Sequence, residues 1–141
     1  MRMMLPALFA LFATGCGLTC TEMWVPSGFE LIFEASSWAS GDYEIVLSGD
    51  VEHSCAVTLP ADDTSGPGED CGSDDVDFQY DAHTIDSIFV YEPLPEYLHV
   101  TVLLDGAEIA AGTFEPSYEI TEPNGPGCGE TIFATDTLTL N

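Results

Sequence analysis

Basic residues are almost missing from this chain. Its 141 residues include a single Lys or Arg, namely Arg2, against 25 Asp and Glu, giving a formal net charge of −24 at pH 7. Nucleic-acid binding replaces phosphate counterions with Lys and Arg, so past Arg2 that class is excluded. An arginine clamp, a Schiff-base lysine and a P-loop lysine fall on the same ground. Long apolar runs are also scarce. After the amino-terminal stretch no run approaches the ~18 residues of a membrane-spanning helix, and no helical stripe of useful length occurs. Neither Gly-x-Ser-x-Gly nor His-Glu-x-x-His is present, and no Cys-x-x-Cys pair suggests zinc. What the chain does have is 45% hydrophobic and 11% aromatic residues. That composition supplies a folded core and separates the chain from acidic disordered segments.

Residues 1–15 read MRMMLPALFALFATG, a thin positive start followed by a short apolar core. The length suits a signal peptide and is too short for a spanning helix. The stretch ends Ala13-Thr14-Gly15-Cys16, which resembles a bacterial lipoprotein signal with Cys16 as the lipidated first residue of the mature protein. Cysteine parity supports this. Of five cysteines, Cys20, Cys55, Cys71 and Cys128 form an even set for disulfides in an oxidising compartment, and lipidation consumes the fifth. Plain secretion, with a free Cys16 thiol, is the alternative. Gly17 does not resemble an inner-membrane retention signal, so the outer membrane or cell surface is the expected location.

The rest of the chain shows short alternating runs broken by Gly, Pro, Asp and Ser, the pattern of an all-β domain. Phe29, Leu31 and Phe33 alternate with acids, as do Tyr43, Ile45 and Leu47. Val51, His53, Cys55, Val57 and Leu59 share a face, with Gly49-Asp50 as a tight turn before them. Further strands are expected at Val76–Tyr80 and Ile85–Tyr91. Next comes a hairpin with Leu98, Val100, Val102 and Leu104 on one arm and Ala107, Ile109 and Ala111 on the other. Its Asp105-Gly106 turn suits type I′, which needs positive φ at both central residues. Thr131–Leu140 is the last strand, and 60–75 and 115–130 are the two long loops. The expected organisation is a signal peptide (1–15), an anchor and short linker (16–27), and a single antiparallel β-sandwich (28–141) of about seven to eight strands.

Gly41-Asp42-Tyr43-Glu44-Ile45-Val46-Leu47 resembles the Gly-x-Tyr-x-Ile/Val run of Ig-like and transthyretin-like modules. Its order with Cys20-Thr21-Glu22, Cys55-Ala-Val-Thr-Leu-Pro, Asp105-Gly106 and Pro116-Ser-Tyr118…Pro123-Asn-Gly-Pro-Gly-Cys128 is similar to a group of small lipoproteins from myxobacteria and related bacteria. That group is mostly of unassigned function, so the resemblance implies a fold and a location only.

The four cysteines allow three pairings, and sequence does not choose among them. Cys55–Cys71, closing the loop after one strand, with Cys20–Cys128, tying the start of the domain to its last long loop, is the preferred set. For chemistry, the densest acids are Asp62, Asp63, Glu69, Asp70, Asp74, Asp75 and Asp77. A hard cation such as Ca²⁺ takes about six to eight oxygens, so Asp70, Asp74, Asp75 and Asp77 are candidate ligands, although the EF-hand spacing is absent. A solvated acidic loop is the plainer reading. His53, His83 and His99 have no nucleophile beside them and read as structural or surface residues, and 25 acids make any carboxylate pair uninformative. Core packing is the default role for Trp24, Trp38, Tyr91 and Tyr97; as candidates for a stacking surface they rank second, with Trp38 in the loop Ser36–Ser40 the best placed. The expected function is a lipid-anchored, non-enzymatic binding or structural module of the cell envelope, with a protein or glycan partner. The alternative is a calcium-dependent adhesion or carbohydrate-binding module.

Overall fold

The alternating runs seen in the sequence build two β-sheets around one core. The computed structural model describes residues 20–21, 23–62 and 71–141, so Cys16 and the whole of 1–15 lie outside the described residues. The described residues form nine strands: β1 (Gly28–Ala35), β2 (Gly41–Gly49), β3 (His53–Leu59), β4 (Val76–Tyr80), β5 (Ile85–Val90), β6 (Leu98–Leu104), β7 (Ala107–Phe114), β8 (Glu119–Thr121) and β9 (Thr131–Leu140). They form a five-stranded sheet, β4-β5-β1-β9-β8, and a four-stranded sheet, β3-β2-β6-β7. The described chain contains no helix.

Each inward row is the apolar phase of an alternating run. Phe29 and Leu31 on β1, Ile45 and Leu47 on β2, and Leu98, Val100 and Val102 on β6 are almost fully buried. Ile88 and Val90 on β5 and Val76 and Phe78 on β4 complete the facing layer. At about 2–3 kcal/mol for each large side chain removed from water, this layer is the main favourable term in folding. Gly28 at the start of β1 is required by space: a Cβ there would collide with the Phe89 ring on the neighbouring strand.

Three expectations need correction. The sandwich is not wholly antiparallel, because β1 pairs with β9 in parallel from Gly28↔Phe133 to Ala35↔Leu140. A parallel pair cannot be joined by a hairpin, so local turn signals carry no trace of it. The described residues hold nine strands because β8 lies inside the expected 115–130 loop; all three of its residues are exposed, and it shows no inward phase. The third correction concerns the phase of β7. Asp105 (φ 51°) and Gly106 (φ 80°) adopt the expected turn. After it, however, the register shifts between Val102↔Ala110 and Leu103↔Glu108, so a bulge falls at Ile109. One extra residue flips the side-chain phase. Ile109 is therefore 41% exposed, and Phe114 becomes the buried residue of β7. In a smaller departure, the β2–β3 pairing ends at Leu47↔His53, so the Gly49-Asp50 turn is a longer connection. Asp50 occupies it by accepting from the Glu96 and Tyr97 amides at 2.9 and 2.8 Å.

Two disulfides staple the domain. Cys20 joins Cys128 across a separation of 108 residues, and Cys55 joins Cys71 across 16. These are the pairings preferred from the sequence, and they indicate an oxidising, extracytoplasmic compartment. Of the 16–27 stretch expected as an anchor and short linker, the described residues 20–21 and 23–27 are held against the β8–β9 loop. The Met23 amide donates to Asn124 Oδ1 and Asn124 Nδ2 donates to the Met23 carbonyl, both at 2.9 Å. The Ile132 amide donates to Ser27 Oγ at 3.0 Å.

Candidate functional site

The parallel β1–β9 pair gives the sandwich two distinct ends. Both strands start beside Cys20–Cys128, and both finish about 25 Å away, at the rise of an eight-residue strand. At the far end β1 passes into the loop that carries Trp38, β9 finishes at Leu140, and β5 begins. A groove of about 660 Å³ opens there, lined by Phe33, Glu34, Ser36, Trp38, Thr84 and Asp86, with Thr139, Leu140 and Asn141 closing its β9 side. A second hollow of about 200 Å³ shares Ser36, Trp38, Leu140 and Asn141. Trp38 therefore forms part of the wall of both.

Neighbouring contacts fix the Trp38 loop. Its indole meets the Tyr43 ring edge-on, with centroids 5.4 Å apart and planes at 73°. Tyr43 is buried, and its hydroxyl donates to the Ala39 carbonyl at 3.0 Å, tying the strand to the loop. Burial, and secondarily the Asp105 carboxylate, push the Tyr43 phenol above its ordinary pKa, so it remains a donor at neutral pH. The turn behind it is closed by the Asp42 amide donating to Asp105 Oδ1 at 2.9 Å. On the opposite rim, Asp81 Oδ1 accepts from the His83 and Thr84 amides at 2.6 and 2.8 Å. Those two amides hold the Asp81 carboxyl below its usual range. Thr84 Oγ1 donates to Asp86 Oδ1 at 2.8 Å, so both rims are set by hydrogen bonds within the protein.

The groove combines one aromatic wall with hydroxyls and carboxylates, and nothing cationic lines it. Such a surface accepts hydrogen bonds from hydroxyl or ammonium donors, packs against C–H faces and repels anions. Sequence reasoning singled out Trp38 but missed Glu34, Thr84 and Asp86. Glu34 was visible as the last outward residue of the first run. Nothing local could bring Thr84 and Asp86 beside it, because the β1–β5 pairing is non-local.

The other candidates are dispersed. Trp24 is 79% exposed and lines a shallow cleft with Tyr91 at the amino-terminal end, about a strand length from Trp38. Tyr97 is half-exposed and lies over Gly49. The four aromatics therefore do not form one stacking surface. Among the acids, Asp70 lies outside the described residues, and Asp74 and Asp75 are exposed in the turn before β4. Asp77 Oδ2 accepts from Gln79 Nε2 at 2.6 Å, while its shielded Oδ1 has no hydrogen-bond partner. Its charge adds to burial in raising the Tyr91 phenol pKa. Among the described residues no three His, Cys, Asp or Glu come close enough together to hold a metal. His99 Nδ1 lies 3.0 Å from Thr113 Oγ1 on the next strand, a contact within the sheet. His53 begins β3 half-buried, and His83 is exposed in the turn organised by Asp81.

No family model, no curated protein and no solved structure matches this chain.

Proposed function

We propose that this protein is a lipid-anchored envelope module, held at the amino-terminal end of an Ig-like β-sandwich and binding a neutral, hydroxyl-rich ligand at the other end. The membrane attachment is Cys16, at the outer membrane or cell surface, and the role is non-enzymatic. The observation that carries the reading is the placement of the Trp38 groove at the end of β1 and β9, opposite the Cys20–Cys128 tether. Anchoring at one end leaves the groove facing away from the membrane.

The ligand class follows from the lining. Glu34, Asp86 and the Thr84 hydroxyl take hydrogen bonds from sugar hydroxyls, and the indole packs on a pyranose C–H face. Acidic glycans, nucleic acids and phosphorylated ligands meet only like charge. The Gly41–Leu47 run and the order of the short motifs support the Ig-like lipoprotein reading.

Isothermal titration with neutral hexose and N-acetylhexosamine oligosaccharides tests this. Saturable binding that weakens at least about tenfold in Trp38→Ala, a loss of about 1.4 kcal/mol, is the expected result. Binding unchanged by Trp38→Ala, or absent across the panel, rejects the groove as a glycan site. Binding abolished by EDTA supports the calcium-dependent alternative instead.

A further inference from the structure

We infer that the exposed Met23-Trp24-Val25 edge rests on the bilayer surface, and that the lipid it meets is zwitterionic. The inference depends on the proposed acylation of Cys16 and adds the contact face and the lipid class.

Chain length holds this end of the domain close to Cys16. Only residues 17–19 separate Cys16 from Cys20, and Cys20 is covalently fixed to Cys128. Four Cα–Cα steps reach at most ~14 Å whatever path they take. The headgroup zone of one leaflet is itself about 6 Å deep. An acyl group on Cys16 therefore keeps this end of the domain at the membrane, where it cannot stand clear on a flexible stalk.

The residues presented there are apolar and exposed. Trp24 is 79% exposed, Met23 54% and Val25 37%, and Trp24 is the most exposed large apolar side chain of the described residues. The segment is not loose. Both Asn124–Met23 hydrogen bonds hold it, and Thr131 Oγ1 donates to the Val25 carbonyl at 3.3 Å. An exposed indole on a backbone held at both neighbours suits the headgroup level, where an amphipathic ring buries its body and keeps its N–H wet.

Charge selects the lipid. Asp75 and Glu92 line the cleft beside Trp24, and Glu122 and Glu130 are exposed on the adjoining β8–β9 loop. With neither Lys nor Arg after Arg2, this end repels an anionic surface and tolerates a neutral one.

The test uses the mature protein purified from membranes, with its amino-terminal peptide checked by mass. It is reconstituted on phosphatidylcholine–phosphatidylethanolamine vesicles carrying brominated acyl chains. Tryptophan emission should shift to the blue and be partly quenched, and Trp24→Phe should remove the quenched component while leaving the Trp38 emission. Added phosphatidylglycerol should reduce the quenching. Acylated protein whose emission ignores bromolipid overturns this contact face and leaves the anchor standing. A mature peptide without acyl mass at Cys16 overturns the anchor, and the inference with it. Self-association in detergent that disappears in Trp24→Phe assigns the face to a second copy and also overturns it.

Discussion

Removing the Cys20–Cys128 bond should cost more stability than its exposed position suggests. The bond closes 108 residues, nearly the whole described domain, whereas Cys55–Cys71 closes 16. In the chain-entropy model these closures restrict the unfolded chain by about 5 and about 3 kcal/mol. The core contributes differently to the two. Cys55 is fully buried and Cys71 nearly so, and deleting both sulfurs adds about 1–2 kcal/mol of lost packing. Cys20 is exposed, so its replacement opens no cavity. Cys20→Ser with Cys128→Ser should therefore lose about 5 kcal/mol, and Cys55→Ala with Cys71→Ala about 4–5 kcal/mol. Urea unfolding followed by far-UV circular dichroism measures both. Against the roughly 5–15 kcal/mol of an ordinary domain, either loss is large enough to see in the midpoint. A loss below about 2 kcal/mol for the Cys20–Cys128 pair would contradict this, because it would mean that the long closure restricts the unfolded ensemble by less than half of the chain-entropy value. The same substitution bears on attachment. Without the bond, the described residues 20–21 and 23–27 keep hydrogen bonds such as those to Asn124, and the proposed tether lengthens when these release.

Three further outcomes are expected. Tyr118 donates its hydroxyl to the Pro95 carbonyl at 2.7 Å, and burial, with the Asp50 charge second, pushes its pKa up to about 12. Tyr118→Phe should cost about 1 kcal/mol at neutral pH. The neutral phenol stabilises fully below the unfolded value of 10.0 and loses that effect as pH rises towards about 12, so the gap to wild type should narrow over that window; a constant gap in urea midpoints contradicts it. Gly28→Ala should destabilise by about 1–3 kcal/mol, since the new methyl must displace the Phe89 ring, and an unchanged melting temperature would remove that contact from the account. Melting temperature should also rise from ~10 mM to ~1 M NaCl by several degrees, as screening weakens repulsion among acids with no Lys or Arg beside them. A flat or falling trend counts against it.

Much of the fold was legible where local pattern governs. β4 and β9 fall on their sequence-derived bounds, and Asp105-Gly106 takes the turn its chemistry demands. Leu98, Val100 and Val102 face inward as their alternation implies. Legibility ended where the deciding contact is distant or small. The bulge at Ile109 reverses the apparent inner face of β7, although Ala107, Ile109 and Ala111 alternate as a regular strand would. The parallel β1–β9 register depends on how the chain crosses between sheets, and no residue in either strand encodes that alone. The candidate groove follows the same rule. Trp38 could be singled out from its loop, but Glu34, Thr84 and Asp86 join it only through the β1–β5 pairing and the Asp81 turn.

The two tryptophans mark the two ends of the domain, so their indole N–H signals report on each end separately. The measurement is an NMR spectrum of the protein with its proposed Cys16 acyl group on zwitterionic nanodiscs that carry a headgroup spin label, recorded before and after addition of a neutral oligosaccharide. The spin label should broaden the Trp24 signal and leave Trp38 sharp, and the oligosaccharide should shift Trp38 and leave Trp24 in place. A Trp38 signal broadened by the lipid label, or unmoved at saturating oligosaccharide, would contradict a module anchored at one end and binding at the other.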